Sequence, residues 1–85
     1  MPYTNLPALT GRQLIKLLRK DGWVTGRKSR HGRTLTKKFG AAVRVTFVPE
    51  KSSPLPDGTL SQIMGVKQTG LGKAGLLALL NRYGL

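Results

Sequence analysis

The chain has 85 residues, and 15 Lys and Arg against 3 Asp and Glu give it a formal net charge of +12. A chain this short buries only about 60% of the surface its unfolded form exposes, so one thin core is expected and two catalytic domains are excluded. With 39% apolar residues it should fold, and with no cysteine it has no disulfide framework, no thiolate nucleophile and no cysteine-based zinc site.

Met1 to Pro7 lacks a charged segment followed by an apolar stretch, and no apolar run approaches the roughly 18 residues of a membrane span. A soluble, cytoplasmic protein with no membrane partner is expected. Thr10 and Gln13 have capping-box spacing, which predicts a helix start there. Leu14, Ile15, Leu17 and Leu18 then recur at helical spacing among Arg12, Lys16, Arg19 and Lys20, and Gly22 supplies a positive-φ stop. From Trp23 to Val48 the sequence turns to Thr, Val and Phe with short alternations, predicting strands over about 23–29, 33–39 and 42–48. Breaks this short leave no room for crossover helices, so the strands form an antiparallel meander. In the third, Val43, Val45 and Phe47 share one face and Arg44 and Thr46 the other, which predicts a sheet with an apolar side and a basic side. The apolar stripe of the first helix is expected to cover the sheet. Pro49 to Asp57 reads as a loop. Thr59 and Gln62 repeat the capping-box spacing before a short helix containing Leu60, Ile63 and Met64. A last helix over Lys73 to Tyr83 ends at Gly84.

Several motifs dissolve on inspection. Gly70, Gly72 and Lys73 lack the spacing of a phosphate-binding loop, because position 67 is Lys. The leucines of the last helix fall short of the three or four heptads of a coiled coil and read as core. Trp23, Phe39, Phe47 and Tyr83 are expected in the core, leaving Tyr3 as the aromatic free to stack on a base. One histidine and three acids are too few for a four-ligand metal site, so no metal and no cofactor is expected.

The charge is concentrated. Arg12 to Arg44 holds eleven basic residues and one acid, Asp21, which is +10 of the +12. A polyanion is the natural partner, nucleic acid before an acidic protein. About five phosphate contacts to a single strand would cost roughly a hundredfold in affinity between 50 and 200 mM salt. Within this stretch lies the chain's one histidine, His31, flanked by Arg27, Lys28, Arg30 and Arg33, with Lys37 and Lys38 further on. Imidazole is the side chain suited to exchanging a proton near neutral pH, and cations beside it would hold a phosphate and offset charge in a transition state. That is equipment for cutting RNA, whose 2′-OH is its own nucleophile.

The residues Gly11 to Leu18 through Asp21-Gly22-Trp23, then Lys28-Ser29-Arg30-His31, Val45 to Pro49, Leu55 to Leu60 and Ile63-Met64 together resemble the HicA toxins of HicA–HicB toxin–antitoxin systems. The resemblance runs from about residue 11 to 80, within a single domain over 1–85 whose residues 1–9 form an N-terminal extension. It implies an α+β, double-stranded-RNA-binding-domain-like fold: α-β-β-β-α, a three-stranded antiparallel sheet, helices on one face and an extra short C-terminal helix. It also implies a metal-independent endoribonuclease, an mRNA interferase acting on single-stranded mRNA, with His31 catalytic and a HicB-type antitoxin as partner. Arg27, Lys28, Arg30, Arg33, Lys37 and Lys38 are the expected RNA-phosphate ligands. One departure stands out: the family's Gly-Ser before the histidine reads Ser29-Arg30 here. The rival readings are a non-catalytic RNA- or DNA-binding protein using the same basic face, and a module that binds only an acidic protein.

Overall fold

A computed structural model describes residues 6–84. Helix α1 (Gly11–Lys20) is followed by strands β1 (Val24–Ser29), β2 (Gly32–Phe39) and β3 (Ala42–Val48), then by helices α2 (Asp57–Met64) and α3 (Gly72–Tyr83). The strands form the expected antiparallel meander, in the order β1-β2-β3. Among the described residues no helix is long and apolar enough to cross a membrane.

Helix α1 starts where its cap demands. The Gln13 N–H donates to Thr10 Oγ1 at 3.1 Å and the Thr10 N–H donates to Gln13 Oε1 at 3.0 Å, satisfying two otherwise orphan donors. Leu14, Ile15, Leu17 and Leu18 are buried, and Gly22 leaves the helix at φ 99°, a region where a Cβ would be costly. These side chains join Trp23, Leu35, Val48, Leu55, Ile63, Met64, Leu76, Leu79 and Leu80 in one core. Leu9 belongs to it as well, although it falls in the stretch read as an extension; its carbonyl accepts from the Leu55 N–H at 2.7 Å.

Three expectations are corrected. The apolar stripe of β3 does not face the helices: Val43, Val45 and Phe47 are exposed, whereas Thr46 and Val48 are buried with Leu35, to which Thr46 is paired. Alternation fixed which residues share a side but not which side the helices cover. The covered side tolerates Arg44 and Thr46 because the segment after α2 supplies acceptors. Arg44 Nη1 donates to the carbonyls of Val66 (2.9 Å) and Gln68 (3.2 Å), and Thr46 Oγ1 donates to Gln68 Oε1 (2.5 Å). Phe39 and Phe47 are likewise not core residues; Phe39 is exposed at the sheet end, edge-on to buried Trp23 with ring centroids 6.2 Å apart. Tyr3 lies outside the described residues.

The third correction is the start of α2. Its N-cap is Pro56, not Thr59, and no side chain caps it. Proline fixes an extended entry, the Leu60 N–H donates to the Pro56 carbonyl at 3.0 Å, and Asp57 in the first turn faces the positive end of the helix dipole. Thr59 is already helical, so the second capping-box spacing goes unused.

The β1–β2 ladder carries an irregularity near its hairpin end. Val24 pairs with Thr36 and Thr25 with Leu35, but Lys28 pairs with Arg33 and Ser29 with Gly32, so β1 has one extra residue, a bulge at Gly26-Arg27. Arg30 and His31 are left as a two-residue turn.

Candidate functional site

His31 sits at the tip of the β1–β2 hairpin and is exposed. The turn is held from below by Ser29, whose hydroxyl accepts from the His31 N–H (3.3 Å) and donates to the Gly32 carbonyl (3.2 Å). Such a serine–backbone turn explains how Arg30 and His31 keep negative φ in so tight a connection. Thus Ser29-Arg30, the departure from the family's Gly-Ser, carries a structural hydroxyl at its first position.

Directly behind the tip, the cross-strand pair Lys28 and Arg33 converges on one carboxylate. Lys28 Nζ lies 3.4 Å from Glu50 Oε1, and Arg33 Nε lies 3.1 Å from Glu50 Oε2. The Arg33 contact is an ion pair only, since the buried Nε–H is not aligned for a hydrogen bond. Lys28 is about two-thirds exposed, so its pair adds little to stability. Glu50 is delivered by backbone packing. The Pro49 carbonyl presses against Gly11, and the Val48–Pro49 backbone presses against Gly32; neither glycine has room for a Cβ, and this fixes the chain at the point where Glu50 leaves β3.

The hairpin end therefore gathers Arg27, Lys28, Arg30, His31 and Arg33. Four cations minus Glu50 leave a local charge of +3. Sequence reasoning missed Glu50 as a member, because it lies 17 residues from Arg33 and is returned to it only by the Arg33–Val48 pairing. The structure does not bring Lys37 and Lys38 to this end. At about 3.3 Å per residue along β2 they lie roughly 20 Å from the tip. Lys37 is occupied elsewhere: its Nζ donates to the Asp21 carbonyl (2.6 Å) and to Asp21 Oδ2 (3.1 Å) and lies 5.3 Å from the Phe39 ring centre. Lys38 is exposed on the opposite side of the sheet, paired with Val43. Among the described residues the His31 ring has no hydrogen bond or ion pair, and the residue is exposed.

No curated protein and no solved structure matches the chain. The model of the HicA toxin family of bacterial toxin–antitoxin systems does match, over residues 11–71. That span begins at the first residue of α1, takes in the whole sheet, the His31 turn and Glu50, and ends just before α3. Covering most of the 85 residues, the match establishes that the chain belongs to the HicA toxin family of bacterial toxin–antitoxin systems.

Proposed function

We propose that this toxin is a metal-independent endoribonuclease, an mRNA interferase that cleaves single-stranded mRNA at His31 and is neutralised in the cytoplasm by a HicB-type antitoxin. The observation that carries the reading is an exposed imidazole on a hairpin tip, without a partner among the described residues, at the end of a hairpin that also carries Arg27, Lys28, Arg30 and Arg33. A single strand can approach such a tip from three sides. Its phosphates are held by the cations while the ring reaches the sugar.

In this reaction His31 takes the proton from the 2′-OH as that oxygen attacks the adjacent phosphorus. The new P–O2′ bond forms, the P–O5′ bond breaks, and the products are a 2′,3′-cyclic phosphate and a 5′-hydroxyl. The cations offset the charge that builds on the phosphoryl oxygens. The leaving O5′ takes its proton from His31 acting in turn, from the Lys28 ammonium or from water. Lys37 is bound to Asp21 and has no part in the step; Lys38 extends the strand's path.

Incubating the protein with labelled single-stranded RNA and mapping the ends tests this. Cleavage that yields cyclic phosphate ends, persists in a chelator and drops at least a hundredfold in His31→Ala is the expected result; an unchanged rate in His31→Ala refutes the catalytic role. One observation favours the non-catalytic RNA- or DNA-binding alternative: no described residue orients the His31 ring. That reading predicts salt-sensitive retention of RNA with the strand left intact.

A further inference from the structure

The apolar side chains on the helix-free side of the sheet have no role in the proposed chemistry, yet they are exposed. Val24 (64% exposed), Val43 (55%), Val45 (49%) and Phe47 (40%) all project from it. The pairings Val24–Thr36 and Thr36–Val45 make a β-branched row across all three strands, with Thr34–Phe47 on one flank and Lys38–Val43 on the other. Antiparallel sheets commonly solvate one face, but then that face is polar. A contiguous apolar face marks a contact surface.

The charges on this side identify the occupant. Alternation places Arg27 beside Thr34 and Lys38 beside Val43 on this face, and both are cations. The acids are elsewhere: Asp21 and Glu50 are paired on the other side, and Asp57 is on α2. From Val43 to Phe47 the stripe is about 13 Å long, and the sheet is about 10 Å across. That footprint is far below the roughly 800 Å² per partner of a stable protein interface. A partner must therefore spread past the valines onto Arg27, Lys38 and the Arg30-His31 turn, and it needs carboxylates there. A second copy of this chain brings +12 and the same two cations, so it is repelled. A nucleic acid matches the rim but finds aliphatic side chains and a single aromatic ring in the centre, a poor stacking platform.

We propose that this valine–phenylalanine face is where the antitoxin docks, through an apolar strip edged with Asp or Glu. The proposal rests on the toxin–antitoxin reading of the site. Because the Thr34–Phe47 pair lies next to the hairpin end, a protein seated on Phe47 also overhangs the Arg30-His31 turn. Docking on apolar side chains that take no part in cleavage thus blocks the turn that does.

The test is titration of the full-length chain, and of Val45→Glu and Val45→Thr, with the HicB-type protein encoded beside it, together with RNA cleavage by each toxin alone. Val45→Glu should weaken the complex at least a hundredfold and Val45→Thr, which keeps a β-branched strand residue, about tenfold, while both cut RNA within about twofold of the parent. Equal binding by parent and variants overturns the proposed surface and leaves the antitoxin reading intact; no binding by the parent removes both. A folded Val45→Glu that no longer cuts RNA assigns the face to the substrate, and a parent dimer that Val45→Glu dissolves assigns it to a second copy. Either result overturns the proposal. If Val45→Glu does not fold, Val45→Thr decides.

Discussion

Substituting Gly11 by Ala sets two effects of opposite sign against each other. In isolation the change favours the helix, since Ala exceeds Gly by up to about 1 kcal/mol in a helix interior and by less at the first position of α1. Against this, a Cβ at Gly11 would overlap the Pro49 carbonyl oxygen, lie 2.8 Å from its carbon and come within 3.1 Å of the Lys51 nitrogen. A carbon settles no closer than about 3.0–3.5 Å to a carbonyl oxygen, so the Pro49 carbonyl must retreat by more than about 1 Å. It is not free to do so: it accepts from the Lys51 N–H (3.0 Å), and the Lys51 carbonyl accepts from the Arg12 N–H (3.3 Å). Overpacking of this kind costs about 1–3 kcal/mol, leaving a net loss of about 1–2 kcal/mol. For a domain this small that lowers the melting temperature by roughly 5–15 °C. Gly58→Ala is the control, because nothing lies within 4 Å of its Cβ position; it should melt slightly above the parent. Thermal melts by circular dichroism measure both. A Gly11→Ala protein as stable as Gly58→Ala would show that the 49–51 strap is loose and does not fix Glu50.

The hairpin and the core yield three further expected outcomes. The four cations of the turn together with Lys38 predict a slope of about −3.5 in log affinity against log salt for single-stranded RNA, roughly a hundredfold between 50 and 200 mM; Lys37→Ala should leave that slope unchanged, and a slope lower by one contact would place Lys37 on the RNA. Glu50→Gln should cost about 1–2 kcal/mol of stability, little of it from exposed Lys28 and most from the largely buried Arg33 that loses its partner, yet bind RNA more tightly in a filter assay because the competing carboxylate charge is gone. Weaker binding would mean that Glu50 orients the cations rather than competing for them. Thr69 is buried, donates to the Ile63 carbonyl (2.7 Å) and accepts from the Leu71 N–H (3.3 Å); Thr69→Val should lower the melting temperature by about 4–8 °C, and no change would show that neither bond matters.

Much of this architecture was legible in the residues. The Thr10–Gln13 box, the leucine spacing of α1 and the glycine stops marked elements to within a residue or so, because caps and positive-φ positions are local chemistry. The same spacing at Thr59–Gln62 misled, since Pro56 had already fixed the backbone three residues earlier. The sidedness of β3 was not legible, because it depends on carbonyls of Val66 and Gln68 that only tertiary packing brings to Arg44. His31 and its neighbours could be singled out by their adjacency in the chain. The Glu50 clamp could not, and neither could the distance of Lys37 from the turn, because both are set by strand pairing.

The bulge in β1 has a consequence for how this hairpin can vary. Were the ladder regular, the register of Val24–Thr36 and Thr25–Leu35 would continue as 27–33 and 28–32, leaving three residues in the turn. Arg27 would then face Glu50, Lys28 would join the valines, and His31 would occupy the last of three turn positions instead of the second of two. Nothing in the composition would differ. The parity of the chain between Thr25 and Leu35 therefore acts as a functional variable, and insertions or deletions there should be tolerated in twos.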